Sequence, residues 1–196
     1  FDVDQLLERD YILSHIYIAL QKTSTENIEK KACDLEGIES YLYIRGDIDK
    51  DVYYSVKVSK FILELANISE CEAWEKAEEH TNAETTIINM AKAMCSMMNM
   101  EYSEEMEEII PFYIMTNTSK IKGASAILNK KALAEFGKKH NTDKIAVLPS
   151  SVHEMLLTPY TQENDIDNFS EMVKAVNSTE VDPTERLTDR AYIITL

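Results

Sequence analysis

The spacing of apolar and polar positions divides the chain into strand-like and helix-like stretches. Residues 11–21 (YILSHIYIALQ) alternate and are rich in β-branched and aromatic side chains, which predicts a first strand. Thr23 and Glu26 have capping-box spacing, so a helix is expected from TSTE. Residues 38–46 (IESYLYIRG) and the run VYYSVKVS read as two further strands joined by the turn DIDKD. Ser59 is placed to cap a helix KFILELA, and Ser69 with Glu72 to open ECEAWEKAEEH.

In the middle of the chain the period changes. Ile87, Ile88, Ala91, Met94, Cys95 and Met98 recur at three- and four-residue steps, which predicts one helix over 85–98. A short acidic helix, SEEMEEII, is expected from Ser103. Residues 70–110 therefore read as a helical insertion or lid between a β/α part over 1–69 and an α+β part over 111–196. In that last part PFYIMTN and GASAIL read as strands, and Asn129 as the cap of KKALAEFGKKH. KIAVLPSS and HEMLLTP read as two strands, or one broken at Pro149. Asp167 is placed to cap NFSEMVKAVN, and Asp182, Pro183 and Glu185 of DPTE to start another helix before a closing strand RAYIITL. The expected fold class is α+β, with mixed, mainly antiparallel sheets and a helical middle segment.

Charge narrows the partners. Among 196 residues, 35 acidic and 20 basic side chains give a net charge of −15. That argues against nucleic acid and against an anionic membrane, both of which call for clustered Lys and Arg. No apolar run approaches the ~20 residues of a membrane span, and no signal peptide opens the chain. Cys33, Cys71 and Cys95 are widely spaced, without a C-x-x-C pair, which fits a reducing, cytoplasmic setting. The triplets at Asn67 and Asn177 then read as chance matches to a glycosylation signal. The chain starts at Phe1 and reads as a processed or truncated fragment.

The densest chemistry lies in PSSVHE. Ser150, Ser151, His153 and Glu154 fall within five residues; in an extended chain Ser151 and His153 share one face, Ser150 and Glu154 the other. A serine nucleophile also needs an oriented base and an oxyanion hole, and no G-x-S-x-G elbow is present. Structural use of these side chains, as backbone bonds after Pro149 and a polar cluster, weighs more than catalysis. Asp47, Asp49 and Asp51 resemble the start of a calcium loop, but Val52 and Val58 stand where Gly and Glu are required, so a solvated hairpin turn is expected. Met90, Met94, Cys95, Met97, Met98 and Met100 could offer soft sulfur to Cu(I), yet they match a helix face, as core or as a partner groove if exposed. His15 reads as a core histidine; His80 and His140 fall at helix C-termini. Arg186, Asp189 and Arg190 read as ion pairs, and the four glycines form no phosphate loop. No metal or cofactor is expected.

YIMTN, GASAIL, KIAVLPSSVHEMLL, MVKAVNSTEVDPTERLTD and AYIITL, in this order and spacing, resemble the bacterial domain of unknown function 5688 family. The likeness is strong over 111–196 and looser through YILSHIYIALQKTSTENI and ESYLYIRG. It implies a soluble bacterial α+β protein with no established activity, cofactor or partner, and a further N-terminal segment in other members. Its motif falls on Asn117, on Pro149, Ser150, Ser151, His153 and Glu154, and on Asn177, Thr179, Glu180 and Val181.

Three functional readings follow. The first is a non-enzymatic binding or regulatory module, in which Asn117, Ser150, Ser151, His153, Glu154, Asn177 and Glu180 converge on one concave surface that takes a protein, a peptide or a small polar ligand. The second is a hydrolase using Ser150 or Ser151 with His153, oriented by Glu154 or Asp189. The third is a structural subunit whose exposed sheet edge or Met face is completed by an N-terminal segment.

Overall fold

The computed structural model describes residues 7–49, 52–161 and 166–196. It is α+β, with two antiparallel sheets, and divides into two compact units, Phe1–Ala83 and Glu84–Leu196.

In the first unit, α1 (Arg9–His15) leads into β1 (Ile16–Lys22), followed by β2 (Lys30–Ala32), β3 (Ile38–Asp49), β4 (Val52–Lys57), α2 (Lys60–Leu65) and α3 (Glu70–Ala83). β3 carries β1 along one edge and β2 and β4 along the other. α3 buries Ala73, Trp74, Ala77 and Thr81. Trp74 Nε1 donates to the buried Glu29 carboxylate at 3.0 Å, and the Ile18 amide donates to Thr81 Oγ1 at 3.0 Å. Ser59 caps α2 as its position predicts, accepting from the Ile62 amide. The Ser69 hydroxyl likewise accepts from the Glu72 amide.

Two expectations for this unit fail. Residues 9–15 are helical, so the strand starts at Ile16 and His15 is the half-buried last residue of α1. Short apolar runs are compatible with either period, and YIL within RDYILSH is one of them. No helix forms at Thr23–Glu26. The Glu39 carboxylate instead takes the Ser24 amide and hydroxyl at 3.1 and 2.7 Å, so that donor is satisfied outside a helix. Burial alone would raise the Glu39 carboxyl, but hydrogen bonds from Gln21, Ser24 and Lys30 outweigh it and hold it below the usual value. The acidic turn expected at Asp47, Asp49 and Asp51 falls at the β3–β4 connection, and its side chains lie outside the described residues.

The second unit runs β5 (Thr85–Asn89), α4 (Met90–Met98), α5 (Glu105–Ile109), β6 (Tyr113–Asn117), a 3-10 segment (Gly123–Leu128), α6 (Lys130–Lys139), β7 (Lys144–Ser151), β8 (Glu154–Pro159), α7 (Ile166–Thr179) and β9 (Tyr192–Thr195). Its sheet has the order β5-β6-β8-β7-β9. Tyr113, Leu157 and Val147 are in register across β6, β8 and β7 and share one face by the two-residue period. α6 covers that face, with Phe136 edge-on to Tyr113 at 5.0 Å. α7 covers the other, where Val173 joins Ala146, Leu148 and Ala191.

Residues 70–110 are mostly helical but not wholly so. Instead of one helix over 85–98, Thr85–Asn89 is a strand and the helix starts at Met90. β-branched TTII suits a strand, and the Asn89 side chain ends it by accepting from the Ala91 and Lys92 amides as an N-cap. GASAIL is a buried 3-10 segment and not a strand. The DPTE helix is absent too: Asp182 Oδ1 accepts from the Thr184 amide at 2.8 Å and from its hydroxyl at 2.6 Å, closing a turn.

Candidate functional site

PSSVHE is a hairpin turn. Ser151 pairs with Glu154, leaving Val152 and His153 at the tip, and the register shifts between Pro149 and Ser151. The Ser150 hydroxyl donates to Glu154 Oε1 at 3.2 Å, while Ser151 Oγ accepts from the His153 amide at 3.0 Å. His153 faces neither serine. Its Nδ1 accepts from the Lys122 amide at 3.0 Å, which leaves Nε2 carrying the proton and donating to Glu185 Oε1 at 3.3 Å. Both imidazole nitrogens are thus engaged, and a serine proton has no free nitrogen to move to.

The segments carrying the family motif meet around this tip in part. The Thr116 hydroxyl donates to the His153 carbonyl at 2.7 Å, which joins YIMTN to the hairpin. Asn117 organises the loop between them: Nδ2 donates to the Ile121 carbonyl at 2.8 Å, and Oδ1 accepts from the Ile121 amide at 3.2 Å. That loop places Lys122 in the left-handed region, φ 51°, with its amide aimed at His153. VNSTEV reaches the tip only through the following loop. Asn177, buried at the end of α7, donates to the Thr188 carbonyl at 3.1 Å and to Asp189 Oδ1 at 2.7 Å. The loop so held delivers Glu185, whose carbonyl also accepts from the Val152 amide at 2.8 Å. Thr179 and Glu180 are exposed at the end of α7. Glu185, the acid that faces His153, could not be singled out in sequence, because 32 residues separate the two.

An opening in this unit lies elsewhere. A cleft of about 490 Å³ has β5 (Ile87, Asn89) and Tyr113 as its floor, α6 (Phe136, Lys139, His140) as one wall, and Lys92 and Glu107 opposite. Its size falls in the range of ligand pockets, about 300–1,000 Å³. The Tyr102 and Tyr113 hydroxyls both donate to Glu107, the second at 3.3 Å. The bond from Tyr102 holds the Glu107 carboxyl below its usual value, and the Tyr102 phenol is pushed up to about 12 by the same bond. His140 lies against the Tyr113 and Phe136 rings, at 4.6 and 4.3 Å between centroids, with Nε2 buried and without a hydrogen-bond partner. Burial, and then the Lys139 charge, push its pKa below 6.5.

That shift predicts a pH effect. The unfolded chain takes up the His140 proton before the folded chain does, so the stability it contributes is complete above pH 6.5. It is lost as pH falls through 6.5 toward the folded value. Urea midpoints between about pH 7.5 and 5.5 should drop for the wild type, and His140→Phe, which keeps the ring packing, should flatten that drop. An unchanged slope in the variant would assign the effect to other groups.

Among the described residues, no group of three or more His, Cys, Asp or Glu side chains is arranged to hold a metal, and no helix is long and apolar enough to cross a membrane. The cysteines are free, Cys71 exposed and Cys95 buried. Fold and site together define an α+β protein with a clamped β7–β8 hairpin and, separate from it, a cleft along the β5 edge of the same sheet. The model described as Family of unknown function (DUF5688) matches residues 11–194, and the chain belongs to that family. No curated protein and no solved structure matches it.

Proposed function

We propose that the chain is a non-enzymatic binding module whose C-terminal unit takes an extended peptide along the outer edge of β5. One observation carries this reading: the hydrogen-bond register of that edge. The Thr118 amide donates to the Glu84 carbonyl and the Met90 amide to the Phe112 carbonyl, so even-numbered residues of β5 are bonded to β6. Ile87 therefore points its N–H and C=O away from β6, on the side where β5 is the last strand of the sheet. TTIIN carries no charge and no proline, the devices that normally blunt an edge. An added strand would form ladder bonds there and lay alternate side chains into the cleft against Tyr113, Phe136 and His140.

The clamped hairpin supports the same reading from the other direction. Ser150 and Ser151 bond within the hairpin, Asn117 and Asn177 order the loops that follow them, and His153 ties the tip to Lys122, which suits a scaffold that holds β6 and β8 rigid. The hydrolase reading gains no support from an imidazole with both nitrogens occupied.

The test is a peptide library displayed on phage, then fluorescence anisotropy with the enriched sequence. Ile87→Pro deletes an N–H that the sheet does not use, at an edge position where proline is tolerated. Affinity is expected to fall about tenfold or more in this variant, with the urea midpoint nearly unchanged. Equal affinity in Ile87→Pro would refute edge pairing.

A further inference from the structure

A second hollow, between α4 and α5, has a different character. It measures about 330 Å³ and is lined by Ala91, Met94, Cys95, Met98, Met106 and Ile109 among others, all apolar or sulfur-bearing. The helix face that the sequence offers as core or partner groove is open: Met97 is 87% exposed, Met98 64% and Ile109 77%. The buried Cys95 thiol is spent on Met106, Sγ to Sδ at 3.6 Å. An uncovered apolar surface of this kind marks a docking site, and methionine side chains adapt to the shape of what they meet.

Charge identifies what docks. Residues 93–111 hold five glutamates and no basic side chain. Glu107 is turned to the cleft by the two tyrosines, while Glu101, Glu104, Glu105 and Glu108 stand exposed beside the groove. The walls are helices whose backbone bonds are internal, so they offer an extended chain no ladder. A partner must satisfy its own backbone, present an apolar stripe and flank it with cations. We propose that this groove binds a basic amphipathic helix of a partner protein, its Leu, Met or Phe stripe in the hollow and its Lys or Arg residues on the glutamate rim. This surface is separate from the β5 edge and does not depend on it.

The probe is a fluorescein-labelled amphipathic helix of Leu and Lys, with a scrambled peptide of the same composition as control, titrated against the full chain. Expected are preference for the amphipathic order, weakening with salt, and a loss of at least about tenfold in Met94→Gln/Met98→Gln. Neutralising the rim with Glu104→Gln/Glu105→Gln/Glu108→Gln should shrink the salt dependence, and Ile87→Pro should leave binding intact. The substituted methionines are 45% and 64% exposed, so these variants are expected to keep the fold, which circular dichroism checks. Equal binding of the scrambled peptide, or of the methionine variant, overturns the proposal. So does a concentration-dependent dimer that Met94→Gln/Met98→Gln dissolves, since that assigns the groove to a second copy.

Discussion

Gly123→Ala is expected to destabilise the C-terminal unit by about 3 kcal/mol, at the upper end of what overpacking costs. A Cβ built on Gly123 would lie 2.2 Å from Thr116 Oγ1, 2.7 Å from the Asn117 amide nitrogen and 2.7 Å from the His153 carbonyl. Two of these atoms are backbone and cannot rotate away. The third donates to the His153 carbonyl at 2.7 Å, so moving it breaks the bond that ties β6 to the hairpin tip. Relief requires the 3-10 segment to lift off the sheet, which would also withdraw the Lys122 amide from His153. Hydrogen exchange should show faster opening at β6 and the hairpin, and urea unfolding should give the loss. A change well under 1 kcal/mol would show that the tip yields easily and does not clamp the sheet.

Leu157→Ala is expected to cost about 2–5 kcal/mol. Leu157 is fully buried on β8, in register with Tyr113 on one side and Val147 on the other. Neighbouring strands hold these positions apart, so the cavity cannot collapse by a side-chain adjustment alone. The contrast is Ile193→Ala on β9, where the side chain is 41% exposed and the loss should stay within about 0.5 kcal/mol. If the two variants unfolded at the same urea concentration, the core would not lie where β6, β8 and β7 place it.

Much of the fold is legible in the sequence because its signals are local. Ser59 and Asn129 each accept the amide three residues on, as their positions before apolar-periodic runs predict. The signals that mislead are those that distant groups override. Ser24 finds Glu39, fifteen residues away, and the helix expected there is lost. Of the two readings of KIAVLPSS and HEMLLTP, two strands and one strand broken at Pro149, the first holds, and β7 runs through Pro149 to Ser151. Lys144 is bonded to β8 through its carbonyl, so the odd-numbered positions of β7 face β9. β9 ends its pairing at Val147, and the missing N–H of Pro149 falls where no partner waits for it. The candidate site was legible as a dense polar motif and not as a geometry. Ser150 with Glu154 is a local pair, whereas His153 depends on Lys122 and Glu185, which no spacing in PSSVHE could indicate. The cleft was invisible because its floor, β5, carries the periodicity of the helix that follows it.

Strand order also bears on how the chain assembles during synthesis. The first unit draws its sheet from residues 16–57, so everything it pairs has emerged before the second unit begins. In the second, β7 sits between β8, which follows directly, and β9, which spans Tyr192–Thr195. Until β9 has emerged from the ribosome, β7 presents Ile145 and Val147 as an open edge, with α7 lacking Ala191 in its cluster. The N-terminal unit can fold on the ribosome, whereas the C-terminal unit closes after it, and its nascent β7 edge is the surface that a chaperone would meet.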